Sequence, residues 1–73
     1  MIKTIQAWIA RDMDDTLWVY LSKPFKAPSQ WICSDPSTSP HLVNDLNFSN
    51  VKWEDKEPTE VEITIKIKQN ENN

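Results

Sequence analysis

The chain contains no glycine, and only one cysteine and one histidine among its 73 residues. Each shortage closes off a class of function. Phosphate-cradling loops of the Walker or dinucleotide-binding kind need glycines that let the backbone approach the phosphate, so neither is present. Any left-handed backbone position must fall to Asn or Asp, the next most tolerant residues. Cys33 alone excludes an internal disulfide, and Cys33 with His41 makes no cluster for zinc. Long apolar runs are also missing. No stretch could span a membrane, and the N-terminus lacks the basic start and apolar core of a signal peptide. A free thiol without an export signal makes the cytoplasm the expected location, with no membrane partner. The net charge of −3 lacks the Lys/Arg surplus of a dedicated nucleic-acid binder, which makes nucleic acid an unfavoured partner.

A chain this short makes a single thin domain, burying about 60% of the surface exposed when unfolded. Without a disulfide or metal, its support must come from a partner chain or a good aromatic core. Four tryptophans suit the second route, since each can bury about 150–250 Å².

The clearest pattern runs from Val61 to Lys68. Val61, Ile63, Ile65 and Ile67 alternate with Glu62, Thr64, Lys66 and Lys68, the period-2 signature of a half-buried strand. Two further strands read over Ile2 to Arg11 and Thr16 to Ser22, joined by the turn formers Asp12-Met13-Asp14-Asp15. Placing Ile5, Ala7 and Ile9 on the face of Leu17, Val19 and Leu21 requires paired positions with an even sum. That means an odd-length loop, most simply three residues with a bulge, and Asp14 or Asp15 in the left-handed position. Arg11 then lies toward the aliphatic side, near the turn.

Lys23 to Pro28 holds two prolines and reads as an extended crossing segment with Phe25 turned inward. Gln30 to Cys33 reads as a short strand or bridge carrying Trp31. After the Ser34–Pro40 loop, Ser39-Pro40 resembles a helix start, so a turn or two of helix is expected over Pro40 to Leu46. Phe48 to Trp53 reads as a third main strand with Val51 and Trp53 on one side, antiparallel to the last strand because the Glu54–Pro58 connection is short. Residues 69–73 form a polar tail.

The expectation is a mainly β fold over residues 1–68: one small antiparallel sheet of about four strands, a long irregular middle and at most one short helix. One face buries Ile5, Ile9, Leu17, Val19, Val51, Ile63 and Ile65, and Phe25, Trp31 and Leu42 or Leu46 from the middle segment cover part of the sheet. The last strand is expected in the middle of the sheet, between the hairpin and the third strand; at an edge, its open backbone would instead invite pairing with another chain.

Residues able to do chemistry are few. Asp12, Asp14 and Asp15 could present oxygens to a divalent cation, but the turn glycine and distal glutamate of a calcium loop are missing; an acidic turn is the plainer reading. His41 is expected on the surface, and Cys33 has no adjoining basic residue to stabilise a thiolate. A minimal hydrolase would need His41 to converge with Cys33 or Asp45. No catalytic, cofactor-binding or metal-ligating residue is assigned, and the chain is read as a non-enzyme.

The aromatic group Trp8, Trp18 and Tyr20 falls on the face opposite the aliphatic stripe. It is either a second small core, covered by Trp31 and the middle segment, or a candidate binding face. The leading expectation is a small interaction protein that contacts another protein or forms a homodimer. The alternative is an aromatic platform for single-stranded nucleic acid or carbohydrate.

The phrase Ala7-Trp8-Ile9-Ala10-Arg11-Asp12, with Leu17-Trp18-Val19-Tyr20-Leu21 and Lys23-Pro24, resembles a pattern in short uncharacterised bacterial and phage-related proteins, commonly from gut Bacteroidetes and their mobile elements. Val51-Lys52-Trp53-Glu54 and Glu57-Pro58-Thr59-Glu60-Val61 are similar to that group's closing segment. Many of those proteins have Gly where this chain has Asp15. The resemblance implies a mobile-element origin and no activity, and it carries over no site residue.

Overall fold

A computed structural model of the chain describes residues 2–68; the tail read over 69–73 lies outside the described residues. Strand β1 (Ile2–Arg11) pairs antiparallel with β2 (Leu17–Tyr20). The register sets Trp8 opposite Tyr20, Ile9 opposite Val19, Ala10 opposite Trp18 and Arg11 opposite Leu17. These are even-sum pairs, as the aliphatic stripe demands. The Asp12 N–H donates to the Thr16 carbonyl (2.8 Å) and the Asp15 N–H to the Asp12 carbonyl (2.9 Å), leaving Met13-Asp14-Asp15 as the loop. Asp15 takes the left-handed position, with φ 76°. The Asp14 carboxylate accepts the Thr16 N–H at 3.0 Å and its hydroxyl at 2.5 Å, which braces the turn.

The main sheet has the order β5 (His41–Leu42), β2, β1, β6 (Thr59–Lys66). Strand β6 (Thr59–Lys66) pairs antiparallel with β1 from Ile2 opposite Lys66 to Ile9 opposite Thr59. It therefore lies beside β1 but at the sheet edge, not in the middle as expected. No strand forms over Phe48 to Trp53. The Val51 N–H closes a turn onto the Phe48 carbonyl (3.0 Å), and the Asp55 N–H closes another onto Lys52 (3.1 Å). Ser49-Asn50 and Glu54-Asp55 are turn formers, and the two apolar residues between them do not sustain an alternation. The fourth strand is instead β5 (His41–Leu42), on the far side of β2.

The helix expected over Pro40 to Leu46 is reduced to a 3-10 turn, Asn44–Leu46. The Leu17 peptide competes for the chain there. Its carbonyl accepts the Val43 N–H (2.9 Å), and its N–H donates to Asn44 Oδ1 (2.6 Å). That capture holds His41 and Leu42 extended. A second sheet of two short strands, β3 (Phe25–Lys26) and β4 (Trp31–Ile32), is closed by the Ala27 N–H on the Gln30 carbonyl (2.8 Å).

Both faces of the main sheet are covered near the hairpin. On one, Ile9 and Leu17 pack with Val51, and Val19, Val43 and Val61 join them half-buried. On the other, Ala10, Tyr20 and Trp31 pack with Trp8, Trp18, Cys33 and Trp53. Val51 and Trp53, expected together, lie in opposite clusters, so the chain crosses from one face to the other between them. Arg11 pins this crossing: Nε donates to the Val51 carbonyl (2.7 Å) and Nη2 to that of Phe48 (3.0 Å). Other expected core residues lie outside it. Phe25 is 52% exposed, Leu42, Leu46 and Ile65 are exposed, and Ile5 and Ile63 are half-buried. The two-residue β3 is too short to turn Phe25 under the sheet, and Val43 fills the place expected for Leu42 or Leu46.

The hairpin turn generates a test. Asp15 sits where an L-residue is strained and glycine is not. Asp15→Gly is expected to raise stability by about 0.5–1 kcal/mol, while Asp15→Val lowers it, both read from urea denaturation. A loss with glycine would contradict the left-handed assignment.

Candidate functional site

Two surfaces compete for function. The first is the aromatic face. β1 and β2 present Trp8, Trp18 and Tyr20 on one side because all three occupy even-numbered positions of a period-2 backbone. The chain's own Trp31 and Trp53 fill the space above them. Tyr20 is only 2% exposed, and its hydroxyl makes a long 3.4 Å bond to the Trp31 carbonyl. Burial, with the charges of Asp12 and Cys33 adding to it, pushes the phenol well above its ordinary pKa. Trp8 and Trp18 stay half-buried, and the Trp18 Nε1–H donates to Thr16 Oγ1 (2.9 Å).

An open groove of about 320 Å³ remains beside this cluster, with Asp12, Trp18, Tyr20, Trp31 and Cys33 on its walls. The Trp31 indole N–H is the single buried side-chain polar atom without a hydrogen-bond partner among the described residues. Trp53 is fixed from the side by Lys26, whose ammonium lies 4.2 Å from the ring centroid and donates to the Trp53 (2.5 Å) and Asp55 (3.0 Å) carbonyls.

The three turn carboxylates go separate ways. Asp12 is buried and accepts the Trp31 N–H at 2.8 Å. Burial pushes its carboxyl above the ordinary value; the Trp31 N–H opposes the rise and the Asp14 charge adds to it. Asp14 is engaged by Thr16, whose hydroxyl and N–H hold its pKa down. Asp15 lies against Arg11, 3.8 Å from Nη1, and is largely exposed. Among the described residues no group of three or more His, Cys, Asp or Glu side chains is placed to hold a metal ion.

Cys33 sits in a polar ring, 3.4 Å from the Ser22 hydroxyl and 3.1 Å from that of Thr38. Those two bonds, Ser22 first, hold the thiol below its ordinary pKa. His41, by contrast, is exposed on β5. No hydrogen bond among the described residues links His41 to Cys33 or Asp45.

The second surface follows from the edge placement of the last strand, the alternative to the central one expected from the sequence. β2 pairs with β1 only from Trp8 onward, whereas β6 follows β1 back to Ile2. Ile2–Ala7 and Val61–Lys66 therefore project as a two-stranded ribbon, and the molecule is elongated, 50 × 26 × 16 Å. One ribbon face carries Ile5, Ile63 and Ile65; the other carries Thr4, Gln6, Glu62 and Thr64. Ile65 is 51% exposed, and Ile67 just beyond the strand is 58% exposed. The signal in the sequence is the difference in length between the strands read over Ile2 to Arg11 and over Thr16 to Ser22.

Asp12 supplies a pH test. Asp12→Ala leaves the Trp31 N–H buried and unpaired, and is expected to cost about 1–3 kcal/mol. Asp12→Asn keeps an acceptor and is expected to be tolerated. Because the folded-state pKa of Asp12 is raised, its titration favours the fold below the unfolded pKa, and that advantage is lost as pH rises through the folded value. Asp12→Asn should therefore gain on the parent between acid and neutral pH in chemical denaturation. A constant difference would mean that Asp12 is not desolvated.

Comparison with protein-family models, curated proteins and solved structures finds no match to this chain.

Proposed function

We propose that this chain is a non-enzymatic cytoplasmic interaction protein whose working surface is the β1/β6 ribbon. The observation that carries this reading is the position of the isoleucines. They lie on the least covered part of the sheet among the described residues: Ile65, and Ile67 just beyond the strand, are more than half exposed, and Ile5 and Ile63 are half-buried. A two-stranded ribbon is marginal in water on its own. Here it also leaves both long edges unpaired, on β1 from Ile2 to Ala7 and along β6. Open strand edges beside exposed aliphatic side chains suit strand addition, in which backbone hydrogen bonds give affinity and alternate side chains give selectivity. The aromatic face gives less purchase, because Tyr20 is buried and Trp31 and Trp53 fill much of the space a stacked base or sugar would need. The free thiol of Cys33 suits a reducing compartment.

The test is site-specific photocrosslinking in the cells that make the protein. A benzophenone side chain replacing Ile65 is expected to yield one discrete protein adduct, lost when Ile63→Lys is added. The same group replacing Glu57, in a distant loop, should yield none. Equal labelling from both positions, or no adduct from position 65, would refute the ribbon as the working surface.

A further inference from the structure

Resting on that reading, we propose that the partner on β6 is a second copy of this chain, added antiparallel about a two-fold axis at Thr64. The two four-stranded sheets then join into one of eight strands. The charges on β6 select this arrangement. Its outer edge is free, and its acids lie in one half (Glu60, Glu62) and its bases in the other (Lys66, with Lys68 just beyond). Antiparallel pairing about Thr64 sets Glu62 opposite the second copy's Lys66, and Glu60 opposite its Lys68. On the apolar face the same register sets Ile63 opposite Ile65 and Val61 opposite Ile67. Cross-strand pairs of this kind, opposite charges or β-branched side chains facing each other, are the favourable ones in an antiparallel ladder.

Other arrangements lose these pairs. Parallel in-register pairing sets Glu against Glu and Lys against Lys. A one-residue slip sets isoleucine against charge, because the side-chain period is two. A two-residue slip replaces the two charge matches by a single one, Glu60 with Lys66 in one direction or Glu62 with Lys68 in the other. The second open edge, Ile2–Ala7, offers Lys3 and no acid to meet Lys66 or Lys68. Within one chain none of these charges forms an ion pair among the described residues. The ion pairs among the described residues are Arg11–Asp15 and Lys23–Glu57, and of Glu60, Glu62, Lys66 and Lys68 only Glu60 makes a side-chain hydrogen bond, accepting the Gln6 amide at 2.6 Å. A two-fold contact of this kind is closed, so it ends at two copies.

The test uses the full-length protein in light scattering after size exclusion, with charge reversals on β6. The parent is expected to be dimeric, with an affinity that falls as salt rises. Glu62→Lys alone and Lys66→Glu alone each set like charges opposite each other twice, and each should weaken dimerisation by roughly thirtyfold. Mixing the two single variants should restore a dimer containing one copy of each, which a merely misfolded variant could not do. Thr64→Cys in a Cys33→Ser background should crosslink to itself on mild oxidation, and Glu60→Cys in that background should not. A parent that stays monomeric at high concentration, assemblies larger than two, or a mixture no tighter than its components would overturn self-pairing. If self-pairing fails while photocrosslinking at position 65 still gives a different protein, the interaction reading stands without it; if both fail, both fall.

Discussion

The Asp12 carboxylate, accepting the Trp31 N–H at 2.8 Å, joins the small β3/β4 sheet to the large one. With the Tyr20 hydroxyl donating to the Trp31 carbonyl, it seats Trp31 against Tyr20 and Ala10 in the second cluster. The same device recurs wherever irregular chain meets sheet. Arg11 holds the carbonyls of Phe48 and Val51, Asn44 accepts the Leu17 N–H, and Lys26 holds the carbonyls of Trp53 and Asp55. Irregular backbone cannot satisfy itself as a ladder does, so side chains of the neighbouring elements complete it.

These fastenings are concentrated at one end. The hairpin end of the sheet is covered on both faces, by Val51 and Val43 on one side and by Trp31 and Trp53 on the other. From Ile2 to Gln6 and along the second half of β6 the side chains are exposed or half-buried, and full burial begins only at Ala7. The molecule thus divides its labour along the long axis. One end supplies the stability of the domain, and the other is left with aliphatic side chains and unpaired backbone.

Much of the first end could be read from the residues. Alternation over Ile5–Ile9 and Leu17–Leu21, with the acidic turn between, gives the even-sum register, and the absence of glycine leaves Asp14 or Asp15 for the left-handed position, which Asp15 takes. β6 is legible for the same reason, since Val61, Ile63 and Ile65 repeat with period two. Its place in the sheet was not legible, because pattern reports that a strand has a buried face, not which strands lie on either side of it. Phe48 to Trp53 misled in a related way. Val51 and Trp53 share parity, but turns on both sides of them send the two side chains to opposite faces. The Asn44 capture of Leu17, which suppresses the helix, spans 27 positions and leaves no local trace. The aromatic group was legible as a set, and Trp31 as its cover, whereas Trp53 reaches it through a turn that alternation does not reveal.

The gathering of Trp8, Trp18, Trp31 and Trp53 into one cluster has an optical consequence. All the tryptophan of the chain reports from a single face at the hairpin end, so its emission is a local gauge of how tightly the middle segment is seated. Loosening of the ribbon, or of the valine cluster beneath the opposite face, would pass almost unseen in that signal. Fluorescence and far-ultraviolet dichroism therefore watch different parts of this small protein.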